Sequence, residues 1–124
     1  MNDIEIYMRD PDQAKLEAWL AASFERIELR PFPSGNGYSG VGELAGQKIP
    51  LKLFFKAVGK YATLLVESTD GPWQDDMSCA RDAWAALGKE VRYATTNWKE
   101  GEPVDDDLWW SLTEAGETQV HWKI

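Results

Sequence analysis

Few residues in this chain have side chains that could do chemistry. His121 is the only histidine, and no motif surrounds it. A catalytic histidine needs a neighbouring acid in a cleft to orient it, so we assign no catalytic residue. Cys79 is the only cysteine, which excludes an internal disulfide and a cysteine-based zinc site. The carboxylates of Asp75, Asp76 and Asp82 should raise the pKa of its thiol, which predicts a small, partly buried and unreactive residue.

A polar segment from residue 99 to residue 107 could bind a metal ion or contact a partner. It contains five acids, which are Glu100, Glu102, Asp105, Asp106 and Asp107. Adjacent side chains on an extended chain point to opposite sides, and the alternating ligand pattern of a calcium-binding EF-hand loop is missing. We therefore expect no metal site and no cofactor, and we predict that this segment contacts a partner.

Negative charge and tryptophan are concentrated in the same part of the chain. The 124 residues carry a formal charge of −8, and residues 68–124 hold twelve acids, five bases and six of the seven tryptophans. Trp109 and Trp110 lie close after the acidic segment, and in a strand they must face opposite sides. An exposed tryptophan beside carboxylates is a typical binding hot spot. We predict a partner-binding surface formed by Glu100, Glu102, Asp105, Asp106, Asp107 and Trp109 or Trp110.

The charge of the whole chain narrows the class of partner. A protein with a formal net charge of −8 repels phosphate backbones and anionic membranes, so we expect neither nucleic acid nor membrane as a partner. A basic protein is the natural complement. The first residues are acidic where a signal peptide would be basic and then apolar, so we expect the protein in the cytoplasm.

Hydrophobic periodicity predicts the elements that position these residues. Alternation predicts a strand at residues 4–8, another strand at residues 27–29 and a three-stranded meander over residues 38–67. Helical spacing predicts a first helix over residues 11–24, with Asp10 as its cap, and a second helix that ends at Gly88. The apolar stripe of the second helix is predicted to consist of Trp73, Met77, Ala80, Trp84 and Leu87.

The glycines at positions 35, 37, 40 and 42 match no phosphate-binding pattern. They predict a flexible turn that leads into a strand with a bulge or bend.

The last third of the chain allows two interpretations. After a strand that begins at Val91, residues 108–113 and 118–122 could form a terminal hairpin. Alternatively, Asp105 could cap a short helix that Gly116 ends. We favour the hairpin, because Val120 and Trp122 alternate with polar residues. Residues 1–124 are then one domain of the α+β class, with a mainly antiparallel sheet and two helices packed on one face.

In size, acidity and composition the chain resembles bacterial toxin-immunity proteins. The resemblance implies a small acidic cytoplasmic protein that neutralises a cognate toxin by binding its basic surface. Two alternatives remain open. One is a small enzyme or ligand-binding domain, which would have an apolar cleft holding His121 or a group of acids. The other is an accessory or structural subunit that assembles into a homo-oligomer. We favour the binding module over an enzyme.

Overall fold

A computed structural model describes residues 3–94 and 107–123. These residues form eight strands and two helices in the order β1 Ile4–Arg9, α1 Gln13–Ser23, β2 Arg26–Pro31, β3 Gly37–Leu44, β4 Gln47–Val58, β5 Tyr61–Val66, α2 Asp76–Leu87, β6 Val91–Ala94, β7 Leu108–Thr113 and β8 Gly116–His121. The strands make one sheet in the order β2-β3-β4-β5-β1-β6-β7-β8, and every neighbouring pair is antiparallel. The predicted α+β class is confirmed.

Side-chain caps determine where the two helices begin. The carboxylate of Asp12 accepts a hydrogen bond from the backbone N–H of Lys15 at 3.0 Å, so α1 is capped two residues later than Asp10, the predicted cap. Asp75 accepts a hydrogen bond from the N–H of Ser78 at 2.7 Å and caps α2. Gly88 ends α2 in the left-handed conformation, with φ of 70°, as the sequence predicted.

One face of the sheet forms the hydrophobic core with both helices. Register places Ile6 of β1 opposite Leu64 of β5, and Leu64 opposite Leu53 of β4. All three side chains are fully buried, which agrees with the predicted alternation in β1 and β4. Both helices contribute to the same cluster, among others through Leu16, Leu20, Ala80, Ala83 and Leu87.

The buried stripe of α2 differs from the predicted one. Cys79, Ala80 and Ala83 are fully buried, whereas Trp84 is half-buried and Met77 is 37% exposed. Small side chains on the inner side of the helix allow its backbone to lie close to β1 and β6. The indole of Trp84 packs against the core cluster and is only partly buried.

The glycines of β3 permit close packing rather than a bulge. A methyl group on Gly42 would lie 2.4 Å from a ring carbon of Phe24, so the absence of a side chain lets that ring rest on the strand. The bulge lies instead in β4, between Phe54 and Val58, where Lys56 has a φ of 51°.

The terminal hairpin is present, with β7 and β8 joined by a tight turn at Gly116, whose φ is 113°. The alternative short helix over these residues is therefore wrong for the part that the structure describes. No helix of the described residues is both long enough and apolar enough to cross a membrane.

The second face of the sheet has no helix packed on it within the described residues, and we call it the helix-free face. The indole of Trp122, which follows β8, lies 4.6 Å from the ring of Tyr61 in β5. Four strand spacings separate β8 from β5, which is about 19 Å in a flat sheet. The sheet must therefore curl around this face, which makes it concave near Tyr61 and Trp122.

Candidate functional site

Only part of the predicted partner-binding surface falls within the described residues. Glu100, Glu102, Asp105 and Asp106 lie outside them. Asp107 directly precedes β7, where its carbonyl oxygen accepts a hydrogen bond from the N–H of Trp122 at 2.7 Å. Its carboxylate lies 4.0 Å from the ammonium of Lys123. Asp107, the last acid of this segment, therefore lies beside the end of β8.

Trp109 and Trp110 point to opposite sides of the sheet, as expected for neighbours in a strand. Trp109 is buried on the helix-free face and makes edge-to-face contacts at 5.3 Å with Tyr7 and Trp122. Its indole nitrogen is buried and has no hydrogen-bond partner among the described residues. Trp110 is half-buried and packs against the core on the helix side. Trp109 is thus an aromatic core residue of its own face, and a role in binding for either tryptophan stays a prediction.

A groove between α1 and α2 brings together two tryptophans and one carboxylate. Oδ2 of Asp82 accepts a hydrogen bond from the indole N–H of Trp19 at 3.0 Å and another from that of Trp73 at 2.9 Å. The two indoles are 5.0 Å apart and almost fully buried, while Asp82 is exposed. We call this the Asp82 groove; it is lined by Trp19, Ala22, Ser23, Pro72, Trp73, Ser78 and Asp82.

The Asp82 groove is suited to binding a cationic side chain. Two donors fix one oxygen of Asp82, and within the described residues no hydrogen bond or ion pair involves its second oxygen, Oδ1. Carboxylates pair strongly with guanidinium and ammonium groups when their orientation is already set. The indoles and Pro72 provide an apolar wall for the methylene groups of an arginine or lysine.

The sequence contained only a partial signal for this groove. Trp73 lies on the predicted apolar stripe of α2, and in the sequence Asp82 stands out only as a neighbour of Cys79. Asp82 and Trp19 are 63 positions apart, so no local pattern could pair them. The only local sign was that Asp82 lies on α2 about one helical turn after Cys79, the first buried residue of that helix.

Neither Cys79 nor His121, the residues with potential catalytic chemistry, lines the Asp82 groove. Cys79 is fully buried rather than partly buried. Burial raises the pKa of its thiol well above the ordinary value, and Asp76, Asp82 and Asp75 raise it further. His121 lies exposed at the end of the edge strand β8. Within residues 3–94 and 107–123, no group of three or more histidine, cysteine or acidic residues is arranged to bind a metal ion.

The helix-free face contains a network centred on Glu90. Its carboxylate accepts hydrogen bonds from the hydroxyls of Tyr61 and Ser111 and from Nε of Arg92. Arg9 approaches it to 4.0 Å. Burial acts to raise the pKa of Glu90, but the hydrogen bonds from Ser111, Arg92 and Tyr61 outweigh it and hold that pKa below the ordinary value.

Comparison with known proteins adds no further assignment. No protein-family model, curated protein sequence or solved structure matches this chain. The functional conclusion therefore rests on the geometry of the sites and on the charge of the molecule.

Proposed function

We propose that this chain is a protein-binding module that neutralises a basic partner in the cytoplasm of a bacterium, in the manner of toxin-immunity proteins. The observation that carries the proposal is the Asp82 carboxylate, which two buried indoles hold in a fixed orientation at the surface. A lysine or arginine of the partner would pair with it and lay its methylene groups along the groove.

The charges near the groove support a cationic ligand. Asp75 and Asp76 lie at the start of α2, within two helical turns of Asp82. The nearest base on that helix, Arg81, is already paired with Glu117 of β8 at 2.6 Å. The helix side of the molecule thus presents carboxylates in excess, which attracts a basic surface and accelerates association.

The acidic segment remains a second part of the proposed interface. Asp107 is its only acid within the described residues, and it lies beside the C-terminal end of the edge strand β8. Long-range attraction from Glu100, Glu102, Asp105 and Asp106 would steer the partner, whereas the Asp82 groove would supply the fixed contact that specificity needs.

The proposal predicts that a gene next to the one for this chain encodes a secreted protein with a basic C-terminal domain, and the test uses that domain. We expect that domain to form a one-to-one complex with the chain in calorimetry and to lose its toxic activity on binding. A titration without heat, or a complex in which the toxic activity persists, would contradict the proposal. Turnover of the partner by the chain would instead support the enzyme alternative.

A further inference from the structure

A second cleft lies on the helix-free face, on the side of the sheet opposite to the Asp82 groove. It has a volume of about 430 Å³ and opens between the end of β1, the β4–β5 turn, β6 and Trp122. Arg9, Lys60 and Arg92 line it, and no acidic residue of the described chain does. Three cations at one cleft are unusual on a molecule whose formal charge is −8.

The guanidinium of Arg92 is held in place before any ligand arrives. It lies 5.0 Å above the ring of Tyr61 and 4.8 Å above that of Trp122. Its Nε donates to Glu90 at 2.8 Å, and only 17% of its side chain is exposed. Aromatic rings and a buried partner restrict the rotamers of this arginine, so little entropy would be lost when it binds an anion.

Among the described residues, the positive charges at the cleft outnumber the carboxylates that pair with them. Arg9 and Arg92 share the single carboxylate of Glu90, and Arg9 reaches it only at 4.0 Å with 56% of its side chain exposed. Lys60 makes no ion pair with any described residue. Within residues 3–94 and 107–123, two of the three cations therefore have no full counter-charge, and a bound oxyanion would provide it.

We propose that Arg9, Lys60 and Arg92 form a binding site for the phosphate or carboxylate group of a small anionic ligand. Arg92 provides a fixed donor at the floor, while Arg9 and Lys60 close over the anion from the rim. Because the molecule as a whole repels anions, binding depends on these three side chains and not on a general attraction to the surface. This site is separate from the proposed function and does not depend on it.

The test is an NMR titration of the whole chain with inorganic phosphate and, in a separate arm, with acetate at the same ionic strength. We expect saturable shifts of the backbone amides of Gly59 and Lys60. The double variant Arg9→Gln, Lys60→Gln should weaken binding at least about tenfold. The matched control Arg26→Gln, Lys48→Gln removes two cations from the same face, at β2 and β4, and should change affinity by less than about twofold.

The two arms separate the sources of the anion. Tighter binding of phosphate assigns the site to a phosphate group, and tighter binding of acetate assigns it to a carboxylate. The single variant Lys60→Gln removes an exposed side chain without an ion pair, so it preserves the fold if the double variant does not and should still weaken binding. Absence of saturable binding of both anions, or equal weakening in the control, would overturn the proposal.

Discussion

Removal of the Asp82 carboxylate should loosen the packing between α1 and α2. Asp82→Ala leaves two indole donors, those of Trp19 and Trp73, without the acceptor that they share at 3.0 and 2.9 Å. A hydrogen bond to a charged group contributes about 1.5–3 kcal/mol. Water can enter the open groove and replace part of each bond, so we expect a total loss of about 2–3 kcal/mol in the free energy of unfolding.

A double-mutant cycle isolates these two hydrogen bonds from other effects. Trp19→Phe with Trp73→Phe keeps most of the aromatic packing and removes both donors. In that background Asp82→Ala should cost less than about 0.5 kcal/mol, so the coupling energy is about 2 kcal/mol. Urea unfolding followed by circular dichroism gives each value, and Asp70→Ala, which removes an exposed acid, is the control. An equal cost of Asp82→Ala in both backgrounds would refute the reasoning.

Three further predictions concern packing and pH. Gly42→Ala should lower the free energy of unfolding by about 1–3 kcal/mol in denaturant titration, because the new methyl group meets Phe24 at 2.4 Å; an unchanged value would show that the ring moves freely. Trp84→Ala should cost about 2 kcal/mol, less than the 3–5 kcal/mol of a fully buried tryptophan, and a calorimetric loss above 4 kcal/mol would contradict its half-buried position. Folding lowers the pKa of Glu90, so its ionised carboxylate contributes fully to the free energy of unfolding above the unfolded pKa of about 4.3, and this contribution disappears as pH falls through the folded pKa. The difference in free energy of unfolding between the wild type and Glu90→Gln should therefore shrink in acid. A constant difference from pH 7 to pH 2 would contradict this prediction.

The elements that depend on local periodicity could be predicted from the sequence. Ile4, Ile6 and Met8 alternate because one face of β1 is buried, and the same rule located β4 and the terminal hairpin. Gly88 ends α2 where its left-handed conformation requires a residue without a side chain. These signals are local in sequence, so no knowledge of the tertiary structure was needed.

Features that depend on distant contacts could not be predicted in this way. The predicted stripe of α2 followed hydrophobicity and included Trp84, which is only half-buried, whereas Ala83, which it left out, is fully buried. In the sequence Asp82 looks like an ordinary exposed acid. Only the tertiary structure shows that Trp19 and Trp73 both donate hydrogen bonds to it. Likewise, the curvature that brings Trp122 close to Tyr61 is a property of the whole sheet. The sequence around neither residue predicts it.

The affinity of charge-reversal variants for the basic partner domain that the proposal predicts beside this gene tests the central claim most directly. Asp82→Lys removes the fixed carboxylate, whereas Glu28→Lys makes the same charge change at an exposed position on the helix-free face. Both variants should fold, which circular dichroism checks. The account predicts that Asp82→Lys weakens binding at least about a hundredfold, equivalent to about 2.8 kcal/mol, and that Glu28→Lys changes it less than about threefold. Equal weakening by both variants, or unchanged affinity of Asp82→Lys, would contradict the assignment of the Asp82 groove as the partner-binding site.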